Sequence, residues 1–122
     1  MDIKRGDIYY IGKYPTIGSE QQAGRPAIIV SSEKNNQHSS TVEVVYLTTQ
    51  PKADLPTHVT ISSAPRESIA LCEQVTSVSV DRIGEKMGRL SDREMTQVDI
   101  ARLVSLDLTR GETGKPAGGG AL

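Results

Sequence analysis

Up to about residue 90 the apolar side chains come in short runs, not at helical spacing. Residues 7–12 predict a short strand. Residues 26–32, which open Pro26-Ala27-Ile28-Ile29-Val30, predict an apolar strand rich in β-branched side chains. Residues 41–49 alternate, with Val42, Val44, Tyr46 and Thr48 on one face of a third strand. Residues 58–61 predict a fourth, and residues 68–80 a run long enough to bend or to be two strands. Between them, residues 33–40 with Asn35-Asn36-Gln37, and residues 50–56 with two prolines, read as loops. About five short strands without intervening helices imply a small antiparallel barrel, mostly β.

The spacing changes at Ser91-Asp92-Arg93-Glu94. A serine followed three residues later by glutamate is a capping box, in which each satisfies a backbone N–H of the other's end. It opens a C-terminal helix expected to run to about residue 108. Met95, Leu103 and Leu106 fall on one side of that helix and Ile100 and Val104 on another, so more than one surface is expected to cover it. Arg102 intrudes near the first side and must pair or reach water. Residues 109–122, TRGETGKPAGGGAL, have no periodicity and read as a flexible Gly-rich tail after a single domain over residues 1–108.

Composition narrows the function only a little. The 122 residues include four tyrosines but no Phe or Trp, so the core must be aliphatic and thin, a motive for burial against a second subunit. One cysteine excludes an intrachain disulfide and suits a reducing cytosol. No apolar stretch approaches membrane-spanning length, and no signal peptide is expected. With 14 Lys and Arg against 15 Asp and Glu, the balance does not announce a nucleic-acid partner. A basic patch would have to be local, gathered from Lys4, Arg5, Lys13, Arg25, Lys52 and Arg66.

The most informative segment is Gly18-Ser19-Glu20-Gln21-Gln22-Ala23-Gly24-Arg25-Pro26. Pro26 holds Arg25 extended at the boundary of the strand that follows. A guanidinium there either caps a sheet edge or presents a fork that grips phosphate through two parallel hydrogen bonds.

Arg5-Gly6-Asp7-Ile8-Tyr9, Gly18-Ser19-Glu20-Gln21, Arg25-Pro26, Leu47-Thr48-Thr49 and Glu73-Gln74-Val75, in that order over roughly residues 3–108, resemble the MazF/PemK family of toxin endoribonucleases. The resemblance implies an SH3-like antiparallel barrel with helices. It also implies metal-independent cleavage of single-stranded RNA by 2′-hydroxyl attack, leaving 2′,3′-cyclic phosphate and 5′-hydroxyl ends. It carries the family's catalytic arginine and threonine to Arg25 and Thr48, and its functional carboxylate to Glu20. Ser19, Gln21, Gln74 and His58 are the expected RNA contacts. No cofactor or metal is implied. A homodimer, a cognate antitoxin and a bacterial cytoplasmic setting are. A related class of the same fold, the CcdB toxins, acts on DNA gyrase and would not need the arginine-bearing loop. A silent SH3-like binding module is the other alternative.

The residues themselves qualify these roles. A guanidinium stays protonated at ordinary pH, so Arg25 suits charge stabilisation better than proton abstraction. Thr48 can donate to phosphate, and Glu20 is the candidate acceptor of the 2′-hydroxyl proton. His38 lies in a polar segment and reads as solvated, whereas His58 begins a strand after a loop and can approach a groove. Cys72 sits in an apolar run and reads as a core thiol. No Cys/His cluster has zinc-ligand spacing, and the acids are scattered. Glu73 and Gln74 interrupt an apolar strand, so they either find internal partners or reach a groove. Tyr10, Tyr14 and Tyr46 either stack on unpaired bases or fill the Phe-free core.

Overall fold

The computed structural model describes residues 2–13 and 24–108. Its strands are β1 (Asp7–Gly12), β2 (Gly24–Ile29), β3 (Thr41–Thr48), β4 (His58–Ile61), β5 (Ser68–Ser79) and β6 (Ile83–Arg89). They pair antiparallel in the order β4-β5-β3-β2-β1-β6. Side chains alternate across a strand, and here both faces are apolar. Ile28 and Val45 join one cluster, with Ile8, Leu47, Ile61 and Cys72. Their neighbours Ile29 and Val44 join the other, with Tyr9, Ile11, Ala27 and Val78. Burial on both faces is why residues 27–30 read as a continuous apolar run.

The sheet curls until its ends approach. β4 and β6 lie at opposite ends of the strand order. Yet a Cβ added to Gly88 of β6 would stand 2.9 Å from the carbonyl oxygen of Ser63, just past β4. The expected antiparallel barrel is therefore present, built from six strands. The sequence pattern missed β6, because Ile83–Arg89 is an edge strand with two glycines and three charged residues, and Ile83 is its one fully buried position.

A further correction concerns local structure. The segment expected as a loop after β2 contains a helix, α1 (Glu33–His38). Ser32 caps it by accepting from the Asn35 N–H at 3.2 Å, and buried Asn36 donates to the Ser31 carbonyl at 3.0 Å. A single short turn with one buried residue leaves no apolar periodicity to read. His38 ends it, exposed.

In β5 the expected bend takes the form of a register break. The strand pairs with β3 in two registers, Val45 with Val75 but Leu47 with Ala70, so three extra residues of β5 bulge out between them. That excursion carries Glu73 and Gln74 out of the ladder into solvent. Of the two expected outcomes, internal partners or a groove, Glu73 meets the first through His58 at 3.2 Å, and Gln74 is exposed.

The C-terminal helix α2 (Asp92–Ser105) ends with its cap at Leu106, two residues short of the expected end. The capping box forms as anticipated. Glu94 does more than cap: it also accepts from the Ser62 N–H at 2.7 Å and from the Ser63 hydroxyl at 2.6 Å. Val98 and Ala101 close the first cluster against the sheet. Ile100, Leu103, Val104, Leu106 and Leu108 remain exposed, so among the described residues one side of the helix is covered and another is open. Arg102 pairs with Asp99 at 3.3 Å, and Asp99 also takes both terminal nitrogens of Arg5.

Candidate active site

At the open end of β1 and β2 the two strands approach so closely that position 24 admits only glycine. A Cβ there would lie 1.9 Å from the Ile11 carbonyl oxygen. This contact fixes where Arg25 leaves the sheet. Its guanidinium lies over the Tyr46 ring, 4.7 Å from the centroid, a cation–π contact that restrains the exposed side chain.

The β2–β3 register explains the second candidate. Ala27 faces Tyr46, Ile28 faces Val45 and Ile29 faces Val44. Continued two residues beyond its last paired position, that register sets Arg25 level with Thr48. The ladder has ended by then. Thr48 is half-buried, and its hydroxyl accepts from the Gln50 N–H at 3.1 Å, closing the strand with a local turn.

The two side chains open on separate cavities. Arg25 shares one of about 390 Å³ with Ile11, Lys13, Gly24, Tyr46 and Arg82. Among the described residues that line it there is no carboxylate. Thr48 lines another of about 230 Å³ with Thr49, Thr60, Glu67, Ser68 and Ile69. Glu20, Ser19 and Gln21 lie outside the described residues, as do Tyr14 and the tail expected at 109–122.

His58 and Gln74 stand elsewhere. The His58 ring, 9% exposed, sits between two acceptors: its Nδ1 is 2.8 Å from the Ala53 carbonyl and its Nε2 is 3.2 Å from Glu73. The Ala53 carbonyl raises its pKa, burial works against that, and Glu73 adds to the rise. Burial pushes Glu73 upward, but hydrogen bonds from its own backbone, His58 and Thr57 prevail and lower it. His58 lines a third cavity, of about 370 Å³, between β4 and α2, with Pro56, Gln97 and Ile100. Gln74 is exposed on the β5 excursion. Cys72 is a buried thiol whose pKa burial pushes up to about 12, which suits a core residue and not a nucleophile.

Sequence reasoning did not single out Arg82. It lies in a single 3-10 turn, Val80–Arg82, capped by Ser79, whose hydroxyl accepts from the Asp81 N–H at 3.2 Å. That serine two residues before an acid was the available signal. Tyr46 was weighed as a base stacker or a core residue; it packs on the second cluster and supports Arg25. Among the described residues no three His, Cys, Asp or Glu side chains gather as a metal site would require, and no helix is long and apolar enough to cross a membrane.

Residues 4–105 match the family model of the PemK-like, MazF-like toxins of type II toxin–antitoxin systems. The chain is 38% identical over 113 residues to Endoribonuclease EndoA of Bacillus subtilis, covering 88% of this chain and 97% of that protein. It superposes with a TM-score of 0.74 on a mycobacterial endoribonuclease solved in complex with its cognate antitoxin, at 25% identity, over 87% of this chain and 96% of that one. MazF from Deinococcus radiodurans shares the fold at a TM-score of 0.71 and 19% identity, over 88% and 98% of the two chains.

Proposed function

The chain belongs to the PemK-like, MazF-like toxins of type II toxin–antitoxin systems and is an endoribonuclease, and on that premise we propose that it cuts single-stranded messenger RNA without a metal ion. The ribose 2′-oxygen attacks the adjacent phosphorus and the bond to the 5′-oxygen breaks. A 2′,3′-cyclic phosphate remains on one fragment, and the departing oxygen takes up a proton as a 5′-hydroxyl. The observation that carries this reading is the Arg25 fork, braced on Tyr46 and opening on a cavity whose described lining includes Lys13 and Arg82.

Charge that builds on the non-bridging oxygens calls for donors already in place. Arg25 supplies two parallel N–H groups, and Thr48, at the end of the neighbouring strand, is the proposed hydroxyl donor. Glu20 is the proposed acceptor of the 2′-hydroxyl proton. Ser19, Gln21, Gln74 and His58 are the proposed RNA contacts outside the reacting phosphate. Incubation with a long single-stranded RNA in EDTA, followed by end mapping, tests the chemistry. Cutting should persist with cyclic phosphate ends, and one 2′-deoxy nucleotide at the cut should block it. Loss of activity in EDTA with rescue by magnesium would overturn metal independence.

The same reading includes a partner and a second copy. A mycobacterial relative was solved with its cognate antitoxin, and a basic mouth of this kind suits an acidic peptide that folds on binding and displaces RNA. The exposed side of α2, with Ile100, Leu103, Val104 and Leu106, supports a homodimer that covers apolar surface this chain leaves open. The proposed setting is bacterial cytoplasm. Sedimentation should give a dimer at micromolar concentration; only monomer would refute that part.

A further inference from the structure

We infer that Lys13 and Arg82 form a second phosphate subsite, which holds the RNA phosphate next to the one that is cut. The inference rests on the RNA-cleavage reading above and adds to it the residues that grip the flanking backbone. Three cations, Lys13, Arg25 and Arg82, line one cavity together with the Tyr46 ring. None of the three has an ion-pair partner among the described residues. Elsewhere in the molecule the arginines that lie near one another are neutralised: Arg89 by Asp7, and Arg5 and Arg102 by Asp99. Like charges gathered with no ion-pair partner among the described residues repel, so an anion that binds between them relieves that repulsion.

Arg82 is aimed by the fold. Its Nε donates to the Gly12 carbonyl at 2.7 Å, which fixes the plane of the guanidinium and leaves its two terminal amino groups for another acceptor. Gly12 pairs with Gly24, and the next pair along the ladder is Ile11 with Arg25. The Arg82 anchor and the base of Arg25 are therefore one ladder step apart, about 3.4 Å along the strand. Lys13 follows Gly12 directly. Two planar forks and an ammonium beside an aromatic ring suit the tetrahedral diester oxygens of a single-stranded backbone, where charge and a stacking surface occur together. At about 390 Å³ the cavity lies in the range of small-molecule sites, roughly 300–1,000 Å³.

The test uses a single-stranded RNA with a mapped cut, and the same oligonucleotide with a neutral methylphosphonate at each flanking phosphate in turn. Lys13→Ala and Arg82→Ala should each raise KM by about 10-fold while lowering kcat far less. Each should also flatten the dependence of log affinity on log salt by about 0.7. One flanking methylphosphonate should weaken the wild type and leave Arg82→Ala little changed, because the partner is already missing. Lys13 makes no hydrogen bond that the fold needs, so its variant stays informative if loss of the Arg82–Gly12 bond harms folding.

Unchanged KM and salt slope in Lys13→Ala, with the wild type cutting normally, would overturn the subsite and leave the nuclease reading intact. So would variants that lose affinity for an acidic antitoxin peptide but not for RNA. A wild type that neither binds nor cuts RNA would overturn both.

Discussion

Two groups of charges in this fold are treated in opposite ways. In the first turn of α2, Glu94 is buried and accepts hydrogen bonds from Ser62, Ser63 and Ser91, so its charge is engaged within the protein. Across the sheet, Asp7 is buried against Arg89 at 2.8 Å, with Lys86 at 3.4 Å. At the mouth of β1 and β2, Lys13, Arg25 and Arg82 gather with no acid among the residues that line their cavity. A charge that holds the fold is satisfied from inside. A charge that waits for substrate is braced by its uncharged side, as Arg25 is on Tyr46 and Arg82 is through its Nε.

That contrast is open to direct attack, and the largest effect should come at the mouth. Arg25→Ala should lower kcat by ~100-fold or more, at least about 2.7 kcal/mol of transition-state stabilisation, with little change in melting temperature. Arg25→Lys should not restore turnover, since a point charge cannot replace the fork. Near-normal kcat in the alanine variant, or a large fall in its melting temperature, would erase the distinction.

The converse should hold under α2. Burial would raise the Glu94 carboxyl, but hydrogen bonds from Ser63, Ser91 and Ser62 outweigh it and hold the pKa down to about 2. Because the folded value lies below the unfolded one, the stabilisation is complete above about pH 4.5 and drains away as pH falls toward 2. Its size is about 3 kcal/mol. Glu94→Gln should lower stability by about that order at pH 7 and remove most of the acid slope in denaturant melts, while the RNA-cutting rate of the folded fraction stays the same. A variant with the wild-type acid slope would show that the carboxylate is not the engaged group.

The smallest effect is expected between the two regions, at His58. Two acceptors, Ala53 and Glu73, face its two ring nitrogens, and only the imidazolium can donate to both. Its raised pKa makes this bond a stabilising one below about pH 6.5, lost as pH rises through the folded value. Melting temperature should therefore drop slightly from mildly acidic to alkaline pH, and His58→Ala should remove that drop. An NMR titration that finds the His58 pKa at or below the ordinary histidine value would refute the bridge.

Much of this was legible in the chain because its signals are local. The alternation of residues 41–49, the β-branched run after Pro26 and the Ser91–Glu94 box each depend on neighbours in sequence; β3 and the start of α2 appear where those signals place them, while β2 begins two residues before the expected 26–32 and ends at Ile29. β6 was hidden because an edge strand exposes its charges and has little apolar pattern to show. The β5 excursion was hidden because a register break depends on what β3 and β4 pair with, which no window of β5 records. The site divides in the same way. Arg25 and Thr48 were readable from their motifs. Arg82 was not, since its approach to Gly12 joins residues 70 positions apart.

The tight meeting of β1 and β2 has a genetic consequence. Any missense change at a glycine codon adds at least a Cβ, and at position 24 that carbon would overlap the Ile11 carbonyl oxygen. Pushing the strands apart there would displace Arg25 without touching its charge. In a selection for cells that survive expression of this toxin, escape alleles should accumulate at codon 24 as readily as at codon 25. The smallest lesion, Gly24→Ala, should already be among them.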